Sequence, residues 1–342
     1  MGKVLRELLQ EGLQRTDWTF VLFGDEPRAP VHAPEHPRII RKIWEVKGDR
    51  FRAWEQFALP WQARRFRCDI LHCPGTWCPY WQPVPTIVTV HDTLPWSEMR
   101  QTAYLRNLLP AAYRRCRKLL TPSESSMLDI ETRWPALSHS ISVVRWGINT
   151  AYLADTIPDP SPSLVNQGVR SPYLMYLGGE IPRKRLDWAL KVWSMVAKER
   201  DLRLVVVGLD APKNPRWMSQ VPVQLHNRVV ALPFVEEADV PGLYSAAEAV
   251  LYPTLYEGFG FPALESQAVG TPVLMSAVGS LRELAGPGAI ILPPEDVESW
   301  VDAIRNAAAH KHSARPAARE WARQFTWART WGELQNIYTS RS

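Results

Sequence analysis

Residues Tyr252–Met275 read YPTLYEGFGFPALESQAVGTPVLM, and their internal alternation sets the fold class. Ala249, Val250, Leu251 and Tyr252 make an apolar run of strand length. Glu257-Gly258-Phe259-Gly260-Phe261 follows as a glycine-rich turn. Pro262 stands where a helix can begin, because its fixed φ suits the first helical position and its missing N–H is one that a helix start leaves unbonded anyway. Ala263 to Val269 reads as a short helix with Gly270 as its stop, and Pro272 to Met275 as the next strand. Strand, glycine turn, helix, strand is the grammar of a parallel α/β sheet.

Such a corner directs the unbonded N–H groups of the helix start, and the positive end of its dipole, at whatever lies above the turn. A phosphate fits there. Glu257 lies in the turn and Glu265 one turn into the helix, eight positions on, so both carboxylates can face one crevice around that anion site. The plain alternative is an ordinary βαβ corner with a solvated glutamate pair.

The stretch resembles the E-x7-E signature of retaining, nucleotide-sugar-dependent glycosyltransferases of family 4. Their fold is GT-B: two Rossmann-like domains with a cleft between them and a C-terminal helix crossing back to the first. In that family the first glutamate approaches the donor sugar, the second holds the ribose hydroxyls, and the glycine turn takes the diphosphate. The resemblance implies a catalytic role for Glu257, a ribose contact for Glu265 and diphosphate contacts for Gly258, Phe259, Gly260 and Phe261.

The chain has 342 residues, which suits two domains of ordinary size. Its 46% hydrophobic and 22% charged residues describe a globular enzyme rather than a disordered or membrane-spanning chain. The first residues, MGKVLRELLQEG, are amphipathic and charged rather than a signal peptide, so the cytoplasm is the expected compartment. Cys68, Cys73, Cys78 and Cys116 lack paired metal-ligand spacing, and no metal is implied. Between Arg38 and Arg67 there are nine Arg and Lys against Glu45, Asp49 and Glu55, interleaved with Trp44, Trp54 and Trp61. No nucleic-acid-binding motif accompanies this segment, and an anionic membrane surface explains basic and tryptophan residues together.

In chain order, Lys3 to Arg15 reads as an amphipathic helix and Trp18 to Phe23 as a strand. Short apolar runs at Ile70–His72, Thr86–Val90, Leu119–Thr121 and Ile141–Val144 leave room for helices or loops between them, as a parallel sheet requires. Thr89-Val90-His91-Asp92 puts His91 at a carboxyl edge, where open α/β sheets bind ligands. The phrase PTIVTVHDTLPW resembles the family's strand-HD-x-x-P segment, whose histidine lies close to the donor sugar, so His91 is a second candidate catalytic residue. Residues 120–125 and 144–149 resemble two further family turns, with Arg145 and Trp146 standing in place of Pro-Asn.

Tyr173 to Leu177 opens the second half as a buried strand, followed by Gly178-Gly179-Glu180-Ile181-Pro182-Arg183-Lys184 and a helix from Arg185 to Glu199. Two adjacent cations before a helix start oppose its dipole, and an anion between them and the helix would remove the conflict. This segment resembles the family's Arg-Lys turn, whose cations neutralise the donor diphosphate; Arg183 and Lys184 take those roles by position. Val229 to Phe234 leads into the family's base-binding region, here Phe234 and Val235, with Pro233 where the family commonly has glycine.

The expected organisation is an acceptor-side domain over residues 1–154, a proline-rich linker over 155–172, a nucleotide-sugar domain over 173–324, and a final helix over 325–342 returning to the first domain. Met1 to Leu9 resembles the interior of the family's first turn and helix, so the first domain is expected to lack one strand, as in an N-terminally shortened chain, with Trp18–Phe23 its first. The implied activity is retaining transfer of a hexosyl unit, mannosyl or glucosyl, from a GDP- or UDP-linked sugar to a glycan or lipid-linked acceptor, with no cofactor. Two alternatives stay open. They are a sugar-nucleotide epimerase of the same fold, and a non-catalytic nucleotide-sugar-binding protein.

Overall fold

The computed structural model describes residues 2–25, 33–44, 53–98, 102–209 and 216–340. The chain forms two compact units, one of residues 1–147 with 325–342 and one of residues 148–324.

In the first unit, β3 (Leu71–Cys73), β4 (Thr86–Thr89), β5 (Lys118–Thr121) and β6 (Ile141–Val143) make a parallel sheet in chain order. Its middle strands are covered on both faces, which is why they read as unbroken apolar runs: Ile87, Val88, Leu119 and Leu120 are fully buried. Leu105, Leu109, Tyr113 and Ile130 pack over it, and Trp96 meets Trp134 edge-on at 4.8 Å. β1 (Phe20–Gly24) and β2 (Ile39–Ile43) pair parallel as a separate sheet. No ladder joins β1 to β3 among the described residues, so each keeps one edge without a strand partner there. β1 starts two residues later than the apolar run suggests, because Trp18 turns onto the rings of Trp331 and Tyr338, at 5.9 and 5.8 Å.

The final helix, Trp327–Thr339, packs on the Gly2–Arg15 helix and is capped by the Thr326 hydroxyl, which accepts from the Arg329 N–H. The approach is close at Gly12, where a Cβ would stand 2.7 Å from the Trp331 ring and 2.6 Å from Phe20. At its far end Tyr338 Oη lies 2.5 Å from His72 Nδ1.

The second unit is a six-stranded parallel sheet in the order β12-β11-β10-β7-β8-β9, where β7 is Tyr173–Leu177, β8 Arg203–Val207, β9 Val229–Leu232, β10 Ala249–Tyr252, β11 Val273–Ser276 and β12 Ala289–Leu292. The order reverses between β7 and β10, and ligands of such sheets bind outside the carboxyl ends of the strands at that point. Trp193, Leu190, Val206, Trp300 and Ile304 fill one side of this sheet.

Residues 155–172, read as an interdomain linker, lie within the second unit. Pro162–Asn166 forms a helical turn with Leu164 buried, Val169 is buried beyond it, and Ser161 Oγ donates to Asp239 at 3.1 Å. The segment packs on its own unit through these few contacts, and the change of unit falls earlier, at 147–148. Among the described residues, no helix is long and apolar enough to cross a membrane.

Candidate active site at the switch point of the second sheet

Two turns meet at the switch point. The turn after β7 carries Gly178 to Arg185, and the turn after β10 carries Pro253 to Gly260. Their backbones are tied by the Leu255 N–H, which donates to the Arg183 carbonyl at 2.8 Å. Pro182–Lys184 forms a single helical turn, Arg185 takes the left-handed region at φ +58°, and the next helix begins at Leu186. The left-handed residue lets the chain turn into the helix while Arg183 and Lys184 point elsewhere. The Arg185 guanidinium is itself held by Asp187 and Glu295, each at 3.2 Å.

Arg183 and Lys184 both reach Glu257. Arg183 Nη1 donates to Glu257 Oε1 at 3.0 Å and to the Tyr256 carbonyl at 2.9 Å. Lys184 Nζ pairs with the same Oε1 and lies 3.3 Å from Tyr252 Oη. Thr254 Oγ1 is a third donor within reach of Oε1, at 3.0 Å. All three charged side chains are largely enclosed, with 25% of Arg183, 13% of Lys184 and 11% of Glu257 exposed. Burial pulls the Lys184 ammonium below its ordinary pKa, and the neighbouring Glu257 carboxylate works against that shift. Ser280, from the turn after β11, fixes the other face of Glu257 by donating to its carbonyl at 2.7 Å.

The glycine turn ends at Gly260, which sits at φ +104° and caps the Phe261–Ala268 helix. A Cβ there would stand 2.5 Å from Leu281 Cδ2, so both space and backbone angle call for glycine. The helix starts one residue before the position read from sequence, with Phe261 first and Pro262 second. Phe259 and Phe261 pack edge to face at 5.1 Å and brace the turn. One helical turn on, Glu265 is buried, and its Oε2 accepts from Tyr244 Oη at 3.0 Å. Tyr152 is a second phenol hydrogen-bonded to this carboxylate, with its ring 5.9 Å from that of Tyr244. Both phenols are held well above the usual tyrosine pKa, chiefly by burial and next by Glu265, so both stay protonated donors.

Sequence reasoning missed Thr254, Tyr252, Ser280, Tyr244 and Tyr152. The available signal was hydroxyl-bearing residues set in apolar runs, as in Leu251-Tyr252-Pro253-Thr254 and Gly242-Leu243-Tyr244, where a buried O–H needs a partner. Of the base-region candidates, Phe234 is 83% exposed and Val235 is buried. The neighbouring residues 210–215 lie outside the described residues.

His91 belongs to the first unit, two residues beyond the end of β4. Its Nε2 lies 2.7 Å from the Pro74 carbonyl, which only accepts, so Nε2 carries the proton and Nδ1 is the basic nitrogen. Burial pushes its pKa below the ordinary value and keeps the ring neutral, opposed by the bond to Pro74. Among the described residues no three His, Cys, Asp or Glu side chains gather as a metal-binding group. The first unit also presents a surface cluster. Trp44 and Trp61 meet at 5.2 Å, Arg65 covers Trp61 and Lys42 covers Phe66, with Phe57 72% exposed on the same helical segment as Trp61. Residues 45–52 of the basic segment lie outside the described residues.

Sequence profiles of two families account for most of the chain. The one described as "Glycosyltransferase Family 4" matches residues 1–152, and "Glycosyl transferases group 1" matches residues 171–310. Two successive Rossmann-like units, a glycine turn at the switch point and these matches define the class: the chain belongs to the family 4, group 1 glycosyltransferases, with the GT-B fold.

Among individual proteins, it is 28% identical over 222 residues to the O-antigen chain mannosyltransferase RfbU of Salmonella typhimurium, covering 64% of this chain and 60% of that one. It is 26% identical over 295 residues to O-antigen chain mannosyltransferase B of Escherichia coli, covering 81% and 76%. The alignment thus spans about three fifths of the Salmonella protein's length. The structure of HepE from Anabaena, solved in complex with UDP and glucose, superposes with a TM-score of 0.74 at 15% identity, over 99% of this chain and 96% of that one.

Proposed function

We propose that this protein transfers a hexosyl unit, of mannosyl or glucosyl type, from a GDP- or UDP-linked sugar to a glycan or lipid-linked acceptor with retention of configuration. The observation that carries the reading is the convergence of Arg183, Lys184 and Glu257 on one point beside a glycine-capped helix start. Two cations held together at a sheet's switch point suit a diphosphate, because charge-assisted contacts to phosphate are strong and directional. The names of the Salmonella and Escherichia relatives favour a mannosyl donor, and the UDP and glucose in the Anabaena structure favour a nucleotide sugar.

In this reading Arg183, Lys184 and the turn Gly258–Phe261 stabilise the diphosphate as it leaves, which is the task a divalent cation performs in other transferases. Glu257 supports the reacting sugar, and Glu265, braced by Tyr244 and Tyr152, takes the ribose hydroxyls. Phe234 and Val235 border the base. His91, neutral with Nδ1 as its basic nitrogen, assists at the sugar. The aromatic and basic cluster of residues 38–67 holds the protein at an anionic membrane surface on the cytoplasmic side, where a lipid-linked acceptor would be presented.

The test is a thermal-shift panel of GDP- and UDP-linked hexoses with the purified chain, followed by turnover assays with the donors that bind. Stabilisation by at least one nucleotide hexose is expected, and no stabilisation by any refutes the reading. Recovery of the donor with an altered sugar, in the absence of acceptor, would instead favour an epimerase.

A further inference from the structure

We infer that Glu257 is an internal competitor for the diphosphate site. Its carboxylate holds the two cations until a nucleoside diphosphate displaces it, and the displacement frees the carboxylate for the sugar. This rests on the donor reading above and adds to it the order of events at the site.

The geometry supplies the argument. One oxygen, Glu257 Oε1, is the shared acceptor for Arg183 Nη1, Lys184 Nζ and Thr254 Oγ1. Two adjacent cations ahead of a helix need an anion, and here the anion is a side chain of the protein itself. A diphosphate that took Arg183 and Lys184 while Glu257 stayed on them would place like charges within a few ångströms in a largely enclosed site, which is strongly unfavourable. One of the two anions must give way.

The surroundings make release of Glu257 cheap. Thr254 is fully buried, and its single hydroxyl hydrogen has three acceptors in reach: Glu257 Oε1 at 3.0 Å, the Tyr256 carbonyl at 3.1 Å and the Arg183 carbonyl at 3.3 Å. When the carboxylate leaves, the Thr254 hydroxyl still has two carbonyls and is not stranded, while the buried Tyr252 phenol, which also hydrogen-bonds Glu257, needs a new acceptor. Arg183 likewise keeps the Tyr256 carbonyl on Nη1. The backbone of Glu257 stays pinned by Ser280, so only the side chain moves. What departs is a negative charge, and what remains is a formed cation pocket.

The consequence has an unusual sign. Glu257→Gln, which keeps the shape and removes the charge, should bind UDP or GDP about tenfold or more tightly than the wild type, since tenfold corresponds to about 1.4 kcal/mol of lost competition. Binding of uridine or guanosine, which carry no phosphate, should stay the same. Calorimetric titration of the folded wild type and Glu257→Gln with both nucleoside diphosphates and both nucleosides reads this directly. A crystal structure of the wild type with UDP or GDP is an independent readout that needs no variant, and the Glu257 carboxylate should stand beyond about 4 Å from Lys184 Nζ, the limit of an ion pair. Equal or weaker diphosphate binding by Glu257→Gln overturns the inference, as does a bound diphosphate with Glu257 still on both cations. If the folded wild type binds neither UDP nor GDP, the donor reading itself fails and this inference with it.

Discussion

Replacing Tyr244 by phenylalanine removes one O–H and leaves the ring in place. That hydroxyl lies 3.0 Å from Glu265 Oε2 in a fully buried setting. Hydrogen bonds to charged groups contribute about 1.5–3 kcal/mol, and because Tyr152 still serves the same carboxylate the loss belongs at the lower end, about 1.5–2 kcal/mol. For a unit the size of residues 148–324, each kcal/mol shifts Tm by about 2–4 °C, so Tyr244→Phe should melt about 3–8 °C lower. Its second effect separates positioning from bulk stability. A loosened Glu265 should weaken binding of UDP or GDP more than binding of the matching 2′,3′-dideoxy nucleotide, which lacks the ribose hydroxyls. The assay is thermal unfolding with titration of both ligands, repeated in Glu265→Gln and in the double variant. A coupling between the two sites of about 1 kcal/mol or more is expected. A Tm within about 1 °C of wild type, or additive effects within about 0.3 kcal/mol, would refute the bracing of Glu265 by Tyr244.

Arg183→Ala and Lys184→Ala should each weaken nucleoside diphosphate binding by about tenfold or more, from charge-assisted contacts of about 1.5–3 kcal/mol, and leave nucleoside binding unchanged. An equal loss for both ligands would make the pair purely structural. His72 is held at about 4 by burial, below the ordinary 6.5, with His91 adding to the effect. The unfolded chain therefore takes up the proton first, and stability falls as pH drops from about 6.5 towards 4 by up to about 3 kcal/mol, then levels. In denaturant titrations at pH 6.5 and 5, His72→Gln should lose less stability between the two values than wild type does. An identical loss would contradict the assignment. Vesicle sedimentation should show a preference for anionic over neutral lipid at low salt, fading as salt rises, at about 1 kcal/mol per engaged basic residue. Indifference to lipid charge would remove the membrane surface from the account.

Much of the second sheet was legible because its signals are local. The Tyr252–Met275 stretch carries its own strand, left-handed glycine, helix and stop, and the structure places β10, the Phe261–Ala268 helix and β11 within a residue or two of that reading. The conflict of Arg183 and Lys184 with a helix start was visible too. Its resolution was not, because Glu257 lies 73 and 74 residues away and meets the cations only through the pairing of β7 with β10. Tyr244 hid for a similar reason, since its acceptor Glu265 lies 21 residues further along the chain. Residues 155–172 read as an interdomain linker because proline and polar residues dominate, while Leu164 and Val169 are buried and the segment lies within the second unit.

In the proposed reaction Glu257 acts on the sugar of a bound nucleotide hexose. The most direct test of this role is the rate of nucleoside diphosphate release from the donor that the wild type binds best, compared with Glu257→Gln at saturating donor, in the presence of glycan and lipid-linked acceptors. A kcat about 10²-fold lower or more is expected for the variant, the size of a lost transition-state interaction, even though its diphosphate affinity is higher. Equal rates in the two proteins would contradict it.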